Sequence, residues 1–326
     1  MAILTEIFDA YGYRRIPFET TYIETADSLK ISRLIGMAVN SKRTISVVGP
    51  RGVGKTWAIE AALKGKDFHR VHIENDDKEA VRVPHIQQAF FATLSHEAAK
   101  RNGEIRSRQL TRIIGEAART QPVVLMIEEA HRLHGQTLRS LKTMLEKEWM
   151  GNRALFVPVL IAQYDPMSRP DVAEMRLRSD VVTMHGLSSD EAARYIKEIV
   201  GKHFETDAIE AASRIEQARN YLELQGVIAS LMERALMMGR KVVSVIDVYD
   251  LYHGGLKEMA KVIGADMGEM QDKLGLSKTL ISNALNDKQG TTTDATFTGA
   301  QAKIGDFLRE KYAATVGEKK PSLKAV

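Results

Sequence analysis

Eight consecutive residues, Gly49-Pro50-Arg51-Gly52-Val53-Gly54-Lys55-Thr56, follow the pattern G-x-x-x-x-G-K-[ST]. Glycines at those spacings let the backbone curl until successive N–H groups point at one anion. A helix opening at this point presents its positive N-terminal end to the same charge. A lysine in the seventh place reaches the β- and γ-phosphates of a nucleoside triphosphate, and the threonine hydroxyl after it ligates Mg²⁺. The expected nucleotide contacts are these eight residues with the adjoining Trp57, and the expected cofactors are ATP and Mg²⁺.

Transfer of a phosphoryl group to water also needs carboxylates, one for the metal's water shell and one to activate the attacking water. In open α/β sheets, ligands collect beyond the carboxyl ends of the strands. The run Val123-Val-Leu-Met-Ile127-Glu128-Glu129 ends a hydrophobic strand on two acids. Glu129 is the candidate base. Glu128 is the candidate for holding Mg²⁺ through water, and a side chain one methylene longer than aspartate at that place predicts slow hydrolysis. Gln163, after Leu160-Ile-Ala, either touches the γ-phosphate or the attacking water, or is an ordinary polar loop residue. Arg176 and Arg178 either act across a subunit interface as an arginine finger or form surface ion pairs.

The elements that must position these groups alternate. Residues 1–43 read as a helical or irregular lead-in broken at Pro17. Short strands are expected from residue 44, at 71–73, at 123–127 and at 155–161. Helices are expected between them at 56–63, 84–100, 107–119 and 136–149. This alternation predicts an α/β fold, a doubly wound parallel sheet covered on both faces. Beyond about residue 182 the strands stop. Ser188 and Glu191 have capping-box spacing at the head of a helix reaching about residue 202, and further helices are expected at 206–219, 222–238 and 244–252. The expected organisation is a lead-in (1–43), a phosphate-binding core (44–186), a helical lid (187–253), an all-helical domain (254–315) hinged at Gly254-Gly255, and a disordered basic tail (316–326).

Within the last helical domain, Met267, Met270 and Leu274 share one face of a short helix, Gly275 permits a tight turn, and Ser277 can cap the next helix. That second helix would bury Leu280, Ile281, Ala284 and Leu285. It would present Lys278, Thr279, Ser282, Asn283 and Asn286, with Lys288 just beyond, to phosphates and base edges of double-stranded DNA. Few arginines on that face predict weakly specific binding. Arg101, Arg106, Arg108, Arg112 and Arg119 form a second basic stretch, read as a solvated helix face rather than a site.

Composition sets the outer bounds. The 326 residues are 44% hydrophobic and 27% charged, with a net charge of +4, which permits nucleic-acid contact without demanding it. No run approaches the length of a membrane span, and the start lacks a secretion signal. With no cysteine, disulfides and thiolate metal sites are excluded, which fits a reducing cytoplasm.

Taken together, Val48 to Thr56, Ile127-Glu-Glu-Ala-His-Arg-Leu133 and Leu160-Ile-Ala-Gln163 resemble the AAA+ superfamily. More narrowly they are similar to the branch holding transposition protein B of phage Mu, the Tn7-type target-selection ATPases and the secretion ATPase ExeA. Phe18-Glu-Thr-Thr-Tyr22 resembles the Mu protein's segment ahead of the loop. Residues 270–288 and 304–312 resemble that protein's DNA-binding domain, here placed after the ATPase instead of before it. The resemblance implies a P-loop AAA+ doubly wound sheet with a helical lid, plus an all-α C-terminal helix-turn-helix domain. It also implies ATP hydrolysis, self-assembly into a ring or helical filament on double-stranded DNA, target capture and stimulation of a transposase in a bacterial cytoplasm, without a membrane partner. Two positions depart from the pattern: Glu128 replaces the usual aspartate, and the lid arginine expected near Gly226 is missing. The competing readings are an ATP-switched transcriptional regulator, an ExeA-like motor and a helicase loader.

Overall fold

The computed structural model describes residues 2–19, 21–73, 81–252, 255–286 and 288–318. They belong to two compact units: Tyr22–Leu187, and Met1–Thr21 with Ser188–Val326. The lead-in is therefore divided. Helix α1 (Ala2–Ala10) belongs to the second unit, whereas α2 (Ala26–Ser41) packs in the first.

The first unit is built on five parallel strands. They are β1 (Thr44–Val48), β2 (His69–Ile73), β3 (Val123–Ile127), β6 (Val157–Ala162) and β7 (Ser179–Thr183), in the order β2-β3-β6-β1-β7. Strands β1, β3 and β6 are buried at every residue, as inner strands covered on both faces must be. Against one face, Ile31 and Ile35 of α2 and Ala58, Ile59 and Leu63 of α3 (Lys55–Leu63) cover Ile45, Val47, Val124 and Val159. On the other face lie α4 (Val83–Leu94), α5 (Gly103–Thr120) and α6 (Gly135–Leu145), whose Ile86, Phe90, Ile113 and Leu138 cover Val71, Leu125 and Leu160. The sheet is doubly wound.

Three helices are shorter than their hydrophobic patterns predict; the one expected at 206–219 ends at Ser213, and Ile215 turns extended before a separate 3-10 turn, Glu216–Arg219. Helix α4 stops at Leu94 rather than near residue 100, because Ser95 turns extended and its Oγ accepts from the Glu97 N–H at 3.0 Å. That local bond competes with helix propagation. Helix α6 stops at Leu145 rather than residue 149, and the chain turns into a hairpin of β4 (Glu148–Trp149) and β5 (Asn152–Arg153). Met150 and Gly151, at φ 49° and 77°, supply the two left-handed residues of its tight turn. A four-residue helix, α7 (Ala173–Arg176), leads into β7.

In the second unit, α1 joins α8 (Ser189–Val200), α9 (Thr206–Ser213), α10 (Tyr221–Met237) and α11 (Val245–Tyr252). The Tyr11 and Tyr13 hydroxyls donate to the carbonyls of Met232 and Ile199, each at 3.0 Å. Ser188 and Glu191 form the expected capping box on α8. Four more helices follow: α12 (Gly255–Ile263), α13 (Met267–Leu274), α14 (Lys278–Leu285) and α15 (Asp294–Glu318). Their core is Met259, Met270, Ile281, Ala284, Phe297, Ile304 and Leu308. Of the expected hinge, Gly255 is left-handed at φ 68°, and Gly254 lies outside the described residues. Residues 316–318, placed by the sequence reading in a disordered tail, continue α15, and 319–326 lie outside the described residues. Among the described residues, no helix is long and apolar enough to cross a membrane.

Candidate nucleotide site

The order β3-β6-β1 makes neighbours of the three strand ends that carry the expected chemistry. At about 4.8 Å per strand, the loop after β1 and the acids after β3 stand roughly 10 Å apart, with Gln163 after β6 between them. The Gly49 N–H donates to the Ala162 carbonyl at 3.2 Å and fastens the loop to β6. Position 49 admits no side chain, because a Cβ there would lie 2.7 Å from the Met184 carbonyl oxygen. Gly52 and Gly54 sit at φ 85° and 86°, where glycine alone is unstrained. As the N-cap of α3, Gly54 makes no side-chain hydrogen bond to the first turn. The orphan N–H groups of a helix start remain for an anion.

Lys55 lies across this loop, its Nζ donating to the carbonyls of Gly49 at 2.9 Å and Pro50 at 2.7 Å. Burial pulls its pKa below the usual lysine value, while Glu129 and Glu128 work against that shift. The Thr56 hydroxyl donates to Glu128 Oε1 at 3.0 Å, and His72 Nε2 stands 3.6 Å from the same oxygen. Glu129 is strained. Its backbone is left-handed at φ 49° and ψ 36°, and its Oε2 is buried without a hydrogen bond. It lies within ion-pair distance of His131 Nε2 at 3.4 Å and Arg132 Nε at 3.5 Å.

The exposed Gln163 is tied in through its backbone, whose N–H donates to His131 Nδ1 at 3.3 Å. Trp57, 48% exposed, lines a cavity of about 390 Å³ with Tyr22, Glu60, Lys64, Arg70 and His72. His72 and His131 received no role from the sequence. The Glu-Glu-Ala-His spacing holds a signal for His131, but His72 becomes visible only when β2 pairs with β3.

The two arginines lie at the other end of the sheet. The Arg178 carbonyl accepts from the Thr44 N–H at 3.1 Å, and Ser179 pairs with Thr44 at the start of β1. Five residues of β1 therefore separate these arginines from the loop of their own chain, a span of about 13 Å at 3.3 Å per residue. Arg176 donates to the carbonyls of Met167 at 2.6 Å and Arg169 at 3.2 Å, whereas Arg178 pairs with the exposed Glu146 at 3.1 Å.

In the helical unit, the left-handed Gly275 at φ 63° and the Ser277 cap set α14 against α13 as the spacing predicts. Lys278, Thr279, Asn286 and Lys288 are exposed, but Ser282 and Asn283 are half-buried. Leu280 and Leu285, expected in the core, are also only half-buried, because α14 turns Ile281 and Ala284 squarely inward. Asn286 is occupied: its amide donates to the Ser282 carbonyl at 2.7 Å, and its oxygen accepts from Lys257 at 2.8 Å. The basic stretch on α5 is engaged locally, Arg108 with Glu104 and Arg112 with Glu97 and Glu116.

Residues 39–166 match the family model described as "AAA domain". This segment has the P-loop AAA+ fold. Solved structures similar in fold to the chain include Cdc6p from Pyrobaculum aerophilum, with a TM-score of 0.53 and 14% identity over 91% of this chain and 84% of that one. Drosophila ORC bound to DNA matches at 0.50 and 16% identity, over 98% of this chain and 80% of that one. The Aeropyrum pernix ORC2 protein matches at 0.50 and 13%, over 90% and 89%. No curated protein matches the chain.

ATP and Mg²⁺ are the cofactors of the AAA+ domain, and its residues fit both. The uncapped start of α3 and the left-handed glycines form a cradle of N–H groups for phosphate. Thr56 and Glu128, already in contact, offer two oxygen ligands suited to a hard cation that keeps part of its water shell. Bound there, the cation supplies charge neutralisation at the phosphates.

Proposed function

We propose that the protein is an ATP-switched factor that assembles head-to-tail on double-stranded DNA and serves DNA transposition by selecting target and stimulating a transposase. One observation carries the assembly: Arg176 and Arg178 lie at the opposite end of β1 from their own phosphate loop. Arg176 or Arg178 would therefore meet a phosphate loop only on a second copy, and such a heterologous contact builds rings or filaments. Arg178 is the better finger. Its exposed pair with Glu146 is worth at most about 1 kcal/mol, so it is readily exchanged for a phosphate. Arg176 would give up two charge-assisted bonds to carbonyls, each worth roughly 1.5–3 kcal/mol. Within one protomer, Lys55, Thr56 and Glu128 hold nucleotide and cation, Glu129 takes the proton of the attacking water, and Gln163 orients that water.

Duplex binding rests on α14, whose exposed Lys278, Thr279 and Lys288 suit phosphate contacts better than base readout. The fold likeness to a DNA-bound ORC structure over nearly the whole chain supports this reading. The assignment to transposition rests on the resemblance of the motifs. With a non-hydrolysable ATP analogue, broad footprints and fast-sedimenting complexes on DNA are expected, together with stimulation of the cognate transposase. Lys55→Ala should lose all three. Oligomeric state and DNA affinity indifferent to nucleotide, or a single short protected palindrome, would count decisively against it.

A further inference from the structure

Glu129 is held in an unusual way. Its backbone is left-handed, and no hydrogen bond fixes its buried Oε2. Beside that oxygen stand the exposed Arg132, whose Nε is 3.5 Å away, and His131, whose side chain is only 5% exposed, both on the one-turn helix Ala130–Arg132. Its Nδ1 accepts from the Gln163 N–H at 3.3 Å, and its ring packs at 4.7 Å against Tyr164, itself 64% exposed. With Nδ1 used as an acceptor, a neutral imidazole carries its proton on Nε2. That is the atom 3.4 Å from Glu129 Oε2. Burial pulls His131 below the usual histidine pKa, against the opposing pull of Glu129.

We propose that His131 is a positioning residue that ties the Glu129 carboxylate to the end of β6, aiming it at water and coupling it to any movement of Gln163 and Tyr164. This rests on Glu129 being the base. A contact of 3.4 Å is long for a hydrogen bond, as expected of a catalytic contact that tightens only with substrate bound. Nothing in this role touches the phosphates, so nucleotide affinity should be indifferent to His131.

Three variants separate the ring's functions. His131→Leu fills the space and removes both polar contacts. His131→Gln returns a donor near the position of Nε2, and His131→Asn returns only an acceptor near the position of Nδ1. Steady-state hydrolysis, binding of a fluorescent ATP analogue and thermal melting are measured on the full chain. His131→Leu should lower kcat by about 10- to 100-fold, the usual cost of losing an orienting partner. Its KM, analogue affinity and melting temperature should stay near the parent's. Substantial recovery is expected in His131→Gln and not in His131→Asn. Parental kcat in His131→Leu overturns the proposal, as does an equal loss in all three variants accompanied by lower melting. Glu129→Gln measured alongside tests the underlying reading: parental hydrolysis there removes the base itself and the positioning role with it.

Discussion

Glu129, the proposed base, is placed at a cost in stability. A left-handed non-glycine backbone costs on the order of 1–2 kcal/mol, and a buried oxygen without a hydrogen bond adds about 1 kcal/mol or more. Glycine at the same position would relieve both, returning roughly 0.5–1 kcal/mol through the entropy of the unfolded chain. Glu129→Gly should therefore melt a few degrees above the parent while kcat falls by about 10²- to 10⁴-fold, the range for loss of a general base. Glu129→Gln keeps the backbone strain, so it should lose kcat similarly without the gain in melting temperature. Calorimetry and steady-state kinetics on the two variants check both halves; a Glu129→Gly protein that melts below the parent contradicts the strain argument. The equivalent choice at the next position is milder. Glu128 reaches Thr56 at 3.0 Å despite its extra methylene, so the longer acid still meets the metal-side hydroxyl.

At the scale of elements, the junction of α5 and the β4–β5 hairpin depends on one missing methyl group. A Cβ at Gly115, in the middle of α5, would lie 2.5 Å from the indole ring of Trp149. Gly115→Ala gains up to about 1 kcal/mol of helix propensity. It also forces the ring away, and overpacking of this kind costs roughly 1–3 kcal/mol, so the steric term prevails. The chain has two tryptophans, Trp57 and Trp149, so Trp57→Phe isolates the emission of Trp149. In that background, Gly115→Ala should shift the emission to longer wavelength and lower the melting temperature. Unchanged emission would show that the ring has room to stay. The helix expected at 136–149 ran into the first strand of this hairpin, because apolar spacing alone does not register that α6 ends at Leu145.

For the whole molecule, the decisive relation is between the two ends of the sheet. The loop after β1 and the arginines before β7 lie at opposite ends of β1 in one chain, so the proposed trans arginine would make hydrolysis a property of the assembly. Arg178→Ala should lower ATPase activity by on the order of 10³-fold. Mixed in equal amounts with Glu129→Gln, it should recover activity at interfaces joining an intact site to an intact arginine, about a quarter of all interfaces in a random head-to-tail array. A mixture no more active than its components would place the finger elsewhere.

The sequence by itself determined what is local. The glycine spacing of the loop, the hydrophobic run ending at Glu128-Glu129, the capping box at Ser188 and Glu191, and the Gly275-Ser277 turn are each written in neighbouring residues. Backbone freedom, helix caps and strand burial act over a few positions. Only the tertiary structure decided what depends on strand order. It set β6 between β1 and β3, brought Thr56 against Glu128, and placed His131 between Glu129 and Gln163. It also divided the lead-in between the two units and put the arginines at the far end of the sheet. Those relations join residues far apart along the chain, and no periodicity or motif spacing encodes which strands will lie side by side.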